Sequence, residues 1–311
     1  MNSPLLEPDW WYVRLYPGGL DHLDTAVGRT LPPLVDLAGE HGLERWFFIQ
    51  YTDWKGPHLR LRVRGPRDTL DRLHRRLPRL SRELGSLARE PVPAREALVP
   101  LELRPFGGRH HGIEVALYEA EEHKYGGPVG VELAEEIFQH SSEIALWAAH
   151  LPRHPDRAAL GVLMLEASAA ALKVHERTTD TTRFWERHLA WWTHDAGRHA
   201  ETLRGHLRAA AEADVRGIVG RAAQMAVQPT VQALIQNWTR VLAAYLGSAS
   251  ARQVPYSSGH LVFHQAHMMC NRLGILPREE ALLGVMTAQQ TAGQRARLSI
   301  DQAHVRPPVL T

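Results

Sequence analysis

The side chains best suited to chemistry fall in three short clusters. In HLRLRVR, His58 to Arg64, a repeat of two puts His58, Arg60, Arg62 and Arg64 on one face of an extended strand and Leu59, Leu61 and Val63 on the other. Guanidiniums aligned on one face repel, so the row needs solvent or an anion against it. Beside a groove it would take a carboxylate; on open surface the arginine stems would only cover apolar neighbours. In YEAEEHKYGG, Tyr118 to Gly127, Glu121, Lys124 and Tyr125 sit on a loop leaving a strand, ahead of two glycines that permit close backbone approach. Acids and bases so close together also form purely structural pairs. In SGHLVFHQAHMMCNRLG, His260, His264, His267 and Asn271 recur at i, i+4, i+7 and i+11 and share one helical stripe, with Arg272 following and Cys270 one turn on from His267. Ligands in a line along one helix do not by themselves surround a metal. The stripe therefore reads as proton transfer, hydrogen bonding or plain helix surface, and no metal site is expected. Tyr256, Ser257 and Ser258 precede it, where a hydroxyl is either the N-cap or a donor to a bound peptide.

These clusters need elements to hold them. WWYVRLY (10–16), WFFIQY (46–51), HLRLRVR (58–64) and GIEVALY (112–118) read as strands, the second and third joined as a hairpin by the turn at 53–57. Apolar residues at three and four predict helices over 20–42, with Pro32-Pro33 expected to break or kink it, and over 67–87. The order β-α-β-β-α-β is the split βαβ, ferredoxin-like arrangement. Beyond Gly126-Gly127-Pro128 the patterns are helical, near 131–150, 156–175, 183–213, 215–246, 259–274 and 278–298, with Pro229 interrupting the fourth. The expected fold class is α+β: an antiparallel sheet subdomain, 1–128, followed by an α-helical subdomain, 129–311, in one compact unit. No internal repeat is found, and the tail around Val305 to Pro308 reads as frayed. Trp185, Trp191 and Trp192 fall at helical spacing as core or groove wall, and Ser141 and Ser142 can bond their own helix's carbonyls.

With 36 basic and 34 acidic residues the net charge is +2, too even for a chain whose main task is gripping a phosphate backbone, so no nucleic-acid partner is expected. Only Lys55, Lys124 and Lys173 are lysines; the other 33 cations are arginines, planar forks suited to carboxylates. The lone Cys270 excludes an internal disulfide framework and a multi-cysteine zinc site. The start, MNSPLLEPDWW, lacks a basic segment before an apolar core, and no eighteen apolar residues run together, so a cytoplasmic protein without a membrane partner is expected. GxxxxGK[ST], GxGxxG after a strand, HExxH and GxSxG are missing, and with them the usual parts for nucleotide, zinc-protease and α/β-hydrolase chemistry.

In order along residues 10–275, WYVRLYPG, WFFIQYTDWKGPHLRLRVRG, YEAEEHKYGG, AEEIFQHSSEIAL and HMMCNRLG resemble successive landmarks of the C-terminal domain of class I lantibiotic dehydratases, a family also found as stand-alone proteins in thiopeptide biosynthesis. The resemblance implies a ribosomally made precursor peptide as partner, no metal or redox cofactor, and one of two activities. One eliminates glutamate from glutamylated serine to leave dehydroalanine. The other joins two dehydroalanines of a leader-bearing, azole-containing peptide by formal [4+2] cycloaddition, losing water and leader to form a pyridine. Eliminating members are expected to use arginines of an HxRxR strand, the glutamate and arginine of YxxExxRYGG and the histidine of HMxxNR, which correspond here to Arg60 and Arg62, Glu121, Lys124, and His267. Lys124 departs from that pattern, since an ammonium cannot hold a carboxylate with two parallel bonds as a guanidinium does. This favours the cyclase, with His267, Tyr256, Ser257 and Glu121 as catalytic candidates and His58, Arg60, Arg62, Lys124, Tyr125, His260, His264, Asn271 and Arg272 as substrate-binding candidates. Glutamate elimination remains the alternative, and a non-catalytic leader-binding scaffold the further one.

Overall fold

Alternating apolar residues build a sheet that buries most of one face. In the computed structural model, which describes residues 9–100, 107–151, 153–178 and 180–304 (side chains as far as 292), β1 (Asp9–Pro17), β2 (Arg45–Thr52), β3 (Pro57–Gly65) and β4 (His111–Ala116) form an antiparallel sheet of order β2-β3-β1-β4. Val13, Leu15, Phe48, Leu59, Leu61 and Val63 are buried on one face, which meets α1 (Leu20–Gly39), α2 (Arg67–Arg75) and α3 (Leu77–Leu87) through Leu23, Val27, Leu31, Leu73 and Leu84. Each such side chain contributes about 1.5–3 kcal/mol by leaving water. The strand order is that of the split βαβ arrangement. The opposite face carries the polar row: Arg62 lies across from Tyr12 on β1 and Phe47 on β2, and Arg60 across from Arg14 and Ile49.

Two prolines do not interrupt α1. Its expected break at Pro32-Pro33 is absent, because the carbonyls that lose partners belong to exposed Gly28 and Arg29 and can bond water, while Leu31 and Leu34 stay packed inside. The single helix expected over 67–87 is two, parted at Arg76 ahead of Pro78. The fourth strand ends at Ala116, short of Tyr118.

The helical half continues the same unit through α4 (Glu122–Tyr125), α5 (Pro128–Ala148), α6 (His154–Glu176), α7 (Thr182–Trp191), α8 (Ala200–Ala213), α9 (Ile218–Ala226), α10 (Pro229–Ala251), α11 (Ser258–Arg272) and α12 (Pro277–His304). The helix expected over 183–213 is broken between α7 and α8 by a 3-10 segment, 194–199, in which Gly197 takes φ 52°. Pro229 ends one helix and opens the next, as its fixed φ and missing N–H favour. The tail beyond residue 304 lies outside the described residues. Among those described, α6 alone is long and apolar enough to cross a membrane, yet 72% of its apolar window is buried among its neighbours.

The sheet is stitched to the helices at the outer edge of β2. The amides of Trp46, Phe48 and Gln50 donate to Gln139 Oε1 (3.3 Å), Ser142 Oγ (3.2 Å) and Asn271 Oδ1 (2.9 Å), and Asn271 Nδ2 returns a bond to the Gln50 carbonyl (2.7 Å). Ser141 and Ser142 also bond carbonyls of their own helix, as expected. A buried ionic knot completes the join: Glu279 at the start of α12 accepts from His154 Nε2 (3.0 Å) with Arg95 at 3.8 Å, and Arg157 pairs with Asp24 of α1.

Candidate functional site

The sheet's polar face, the α4 turn and α11 meet in one region. The α4 turn comes close because Gly126, at φ 87°, lies against Val254 and Pro255, where a Cβ would stand 2.7 Å from Val254 Cγ1. Across that contact the Tyr256 hydroxyl donates to the His123 carbonyl, and His260 Nε2 bonds the Lys124 carbonyl (3.2 Å). The α11 stripe is thus registered against the turn by backbone acceptors.

A narrow cleft of about 30 Å³ lies between sheet and helices, lined by Phe47, Arg62, Glu121, Tyr125, Met268 and Arg272 among others. Arg62 sits among the rings of Tyr12, Phe47 and Tyr118 at 4.7, 5.4 and 5.2 Å. Arg272 gives Nε to Ser142 and Nη1 to the Met268 carbonyl, and its plane lies 4.9 Å from Phe138. Arg62 Nε, Arg272 Nη2 and the Tyr125 hydroxyl are buried without hydrogen-bond partners. Burial holds the Arg272 pKa down near 9 and pushes the Tyr125 hydroxyl upward. Two buried guanidiniums without a bonded carboxylate leave N–H groups in this cleft whose chemistry suits an oxygen acceptor.

A wide groove of about 880 Å³ opens at the N-terminal end of α11, between Phe184, Arg187 and Trp191 of α7 and Ser257, His260 and His264. Tyr125 stands at the boundary of cleft and groove, its ring 6.0 Å from His264. Burial, helped by His260 and Lys124, lowers the His264 pKa to about 3, so the ring is neutral at ordinary pH. His260 lies 4.4 Å from His264 and stacks on Tyr256 at 4.3 Å. Ser257 is the N-cap of α11, accepting from the His260 amide at 3.3 Å.

His267 lines neither cavity. It sits further along the same stripe, with Trp192 packed 4.7 Å away and Nδ1 bonded to Glu280 at 2.8 Å. His58 is fully buried, bonding the Gly56 carbonyl through Nδ1 and accepting from Arg60 Nε (3.3 Å), while the Arg60 guanidinium lies over Tyr51 at 3.5 Å. Lys124 is held by Glu121 at 3.0 Å. Of the candidate residues, the structure gathers Arg62, Glu121, Tyr125 and Arg272 in the cleft and Ser257, His260 and His264 in the groove. Asn271 is taken up by the Gln50 backbone. Glu280, His188 and Trp192 behind His267 form a group whose coupling no spacing in the chain reveals; PREEAL reads only as acids in a first helical turn.

Residues 10–291 match the family described as lantibiotic biosynthesis dehydratase, C-terminal, and the chain belongs to it. Among solved structures, the tRNA-dependent lantibiotic dehydratase MibB from Microbispora sp. 107891 superposes with TM-score 0.58 at 22% identity, over 95% of this chain and 29% of that one. This chain therefore spans under a third of that dehydratase. The pyridine synthase TbtD from thiomuracin biosynthesis superposes with the same TM-score at 19% identity, over 92% and 98% of the two chains. At these identities the likeness is one of fold. No curated protein matches the chain in sequence.

Proposed function

We propose that this protein is a pyridine-forming cyclase acting on a leader-bearing peptide that carries two dehydroalanines. The amide beside one alkene tautomerises to an imidic acid, giving a 2-azadiene. That diene meets the second alkene, and water and leader leave to make the ring aromatic. Proton movement and positioning are the protein's whole part. The observation that carries the reading is the groove of about 880 Å³ beside the α11 stripe, a volume in the range of small-molecule sites, walled by a neutral imidazole. Holding two alkenes together removes an entropic barrier, with effective molarities of about 10⁵–10⁸ M. His267, Tyr256 and Ser257 move protons at the amide and the leaving water, Glu121 orients or accepts, and Arg60 and Arg62 hold backbone carbonyls. Lys124 agrees with this reading, since its ammonium is already paired with Glu121.

The unpartnered N–H groups of Arg62 and Arg272 favour a second reading, glutamate elimination, in which the cleft seats the departing carboxylate. Mass spectrometry with both peptides separates the two. A pyridine macrocycle and free leader from the dehydrated peptide are expected; loss of glutamate from a glutamylated peptide, with no macrocycle, overturns the cyclase reading. Leader binding without turnover of either peptide would leave a scaffold.

A further inference from the structure

We propose that Glu280 is a positioning residue of the α11 stripe: its buried carboxylate fixes His267 so that Nε2 faces outward as the proton-carrying atom. The role in turnover rests on the cyclase reading above; the geometry does not. Glu280 lies in the first turn of α12 and is fully buried. Its Oε2 accepts from His267 Nδ1 at 2.8 Å, and its Oε1 accepts from His188 Nε2 and from Trp192 Nε1, each at 3.2 Å. An ionised carboxylate only accepts. Three N–H groups aimed at it therefore set both histidine tautomers, His267 carrying hydrogen on Nδ1 and His188 on Nε2.

Burial alone would raise the Glu280 pKa, yet His267 and His188, standing against it and bonded to it, hold it near 2, so it stays ionised. The helix N-terminus adds to this. Of the paired side chains, Glu280 has no exposure and His267 keeps 20%, so the open side of this group is the imidazole edge. Two features fix the arrangement. Trp192 packs on the His267 ring and limits its rotation. One turn along α12, Gly284 leaves room for His188: a Cβ there would stand 2.5 Å from His188 Nδ1. Imidazoles oriented by a carboxylate on one nitrogen and open on the other are the usual arrangement for proton transfer.

The test begins without substrate. Nitrogen NMR of the intact chain with ¹⁵N-labelled histidine, at a pH where His267 is neutral, is expected to show hydrogen on Nδ1. In Glu280→Gln that preference is expected to be lost, with kcat for macrocycle formation falling on the order of 10²–10⁴-fold while KM stays within about twofold. Glu280→Asp, which keeps the charge, is expected to recover at least tenfold of that loss. His267 with hydrogen on Nε2 in the unaltered protein overturns the proposal even where Glu280→Gln does not fold, and so does an unchanged kcat in that variant. Because the tautomer is read with no peptide present, its failure is distinct from failure of the cyclase reading, which appears as absence of macrocycle from the unaltered protein.

Discussion

Glu279 and Glu280 are neighbours in one helical turn, both wholly buried and both held near pKa 2, and they serve opposite ends. Glu279 closes on itself: His154, Arg95 and the Leu276 amide surround it, and the side chains of Glu279, His154 and Arg95 are all buried. Glu280 ends instead in His267, which is partly exposed on the stripe that reaches the groove. The same electrostatic device ties the halves of the molecule together in one direction and, in the role proposed above for His267, aims a proton carrier in the other. Burial and pKa are alike for the two carboxylates; what differs is that the imidazole bonded directly to Glu280 is partly exposed and the one bonded to Glu279 is not.

Single substitutions separate the two. His267→Ala is expected to cut macrocycle formation on the order of 10²–10⁴-fold in kinetic assays at a temperature where the variant is folded. Glu279→Gln is expected to do the reverse, costing about 3–5 kcal/mol in denaturant unfolding because a buried charge network loses its anion, while kcat under folding conditions holds. A kcat loss in Glu279→Gln as large as in His267→Ala would erase the distinction.

Stability is also expected to fall as pH drops, in two stages. Buried His58, His154 and His264 have depressed pKa values, so below the ordinary imidazole pKa of about 6.5 the unfolded chain takes up protons first. Glu279 and Glu280 follow, their contribution present above about 4.5 and lost as pH falls towards 2. His264→Gln is expected to remove about 2 kcal/mol of the loss between pH 6.5 and 4.5, measured as unfolding free energy against pH. An unchanged slope would mean that the ring is solvated. Smallest is Ser257→Ala, expected to cost about 0.5–1 kcal/mol through the lost N-cap, with a loss of macrocycle beyond what that predicts marking the hydroxyl as a donor to peptide.

The sheet was legible because its strands are short runs of aromatic and β-branched residues bounded by turn residues, and the HLRLRVR alternation places Arg60 and Arg62 on the face they occupy. The helix ends were less so. Pro32 and Pro33 mislead because their cost depends on whether the freed carbonyls reach water, a tertiary fact. At the site, the α11 stripe followed from spacing alone, but what stands behind it did not: Glu280 lies thirteen residues from His267, and His188 ninety-two from Glu280. Local periodicity carries no information about contacts closed by packing. For the same reason the common cleft of Arg62 and Arg272 escaped spacing, since one belongs to a strand and the other to a helix end.

Three amides on the rim of β2 are occupied by Gln139, Ser142 and Asn271. A rim without spare donors at those positions is a poor template for a stray strand, whether from a misfolded copy or from an extended peptide. Crowded in solution, this side of the sheet resists edge-to-edge aggregation, so that such growth would have to begin elsewhere on the molecule.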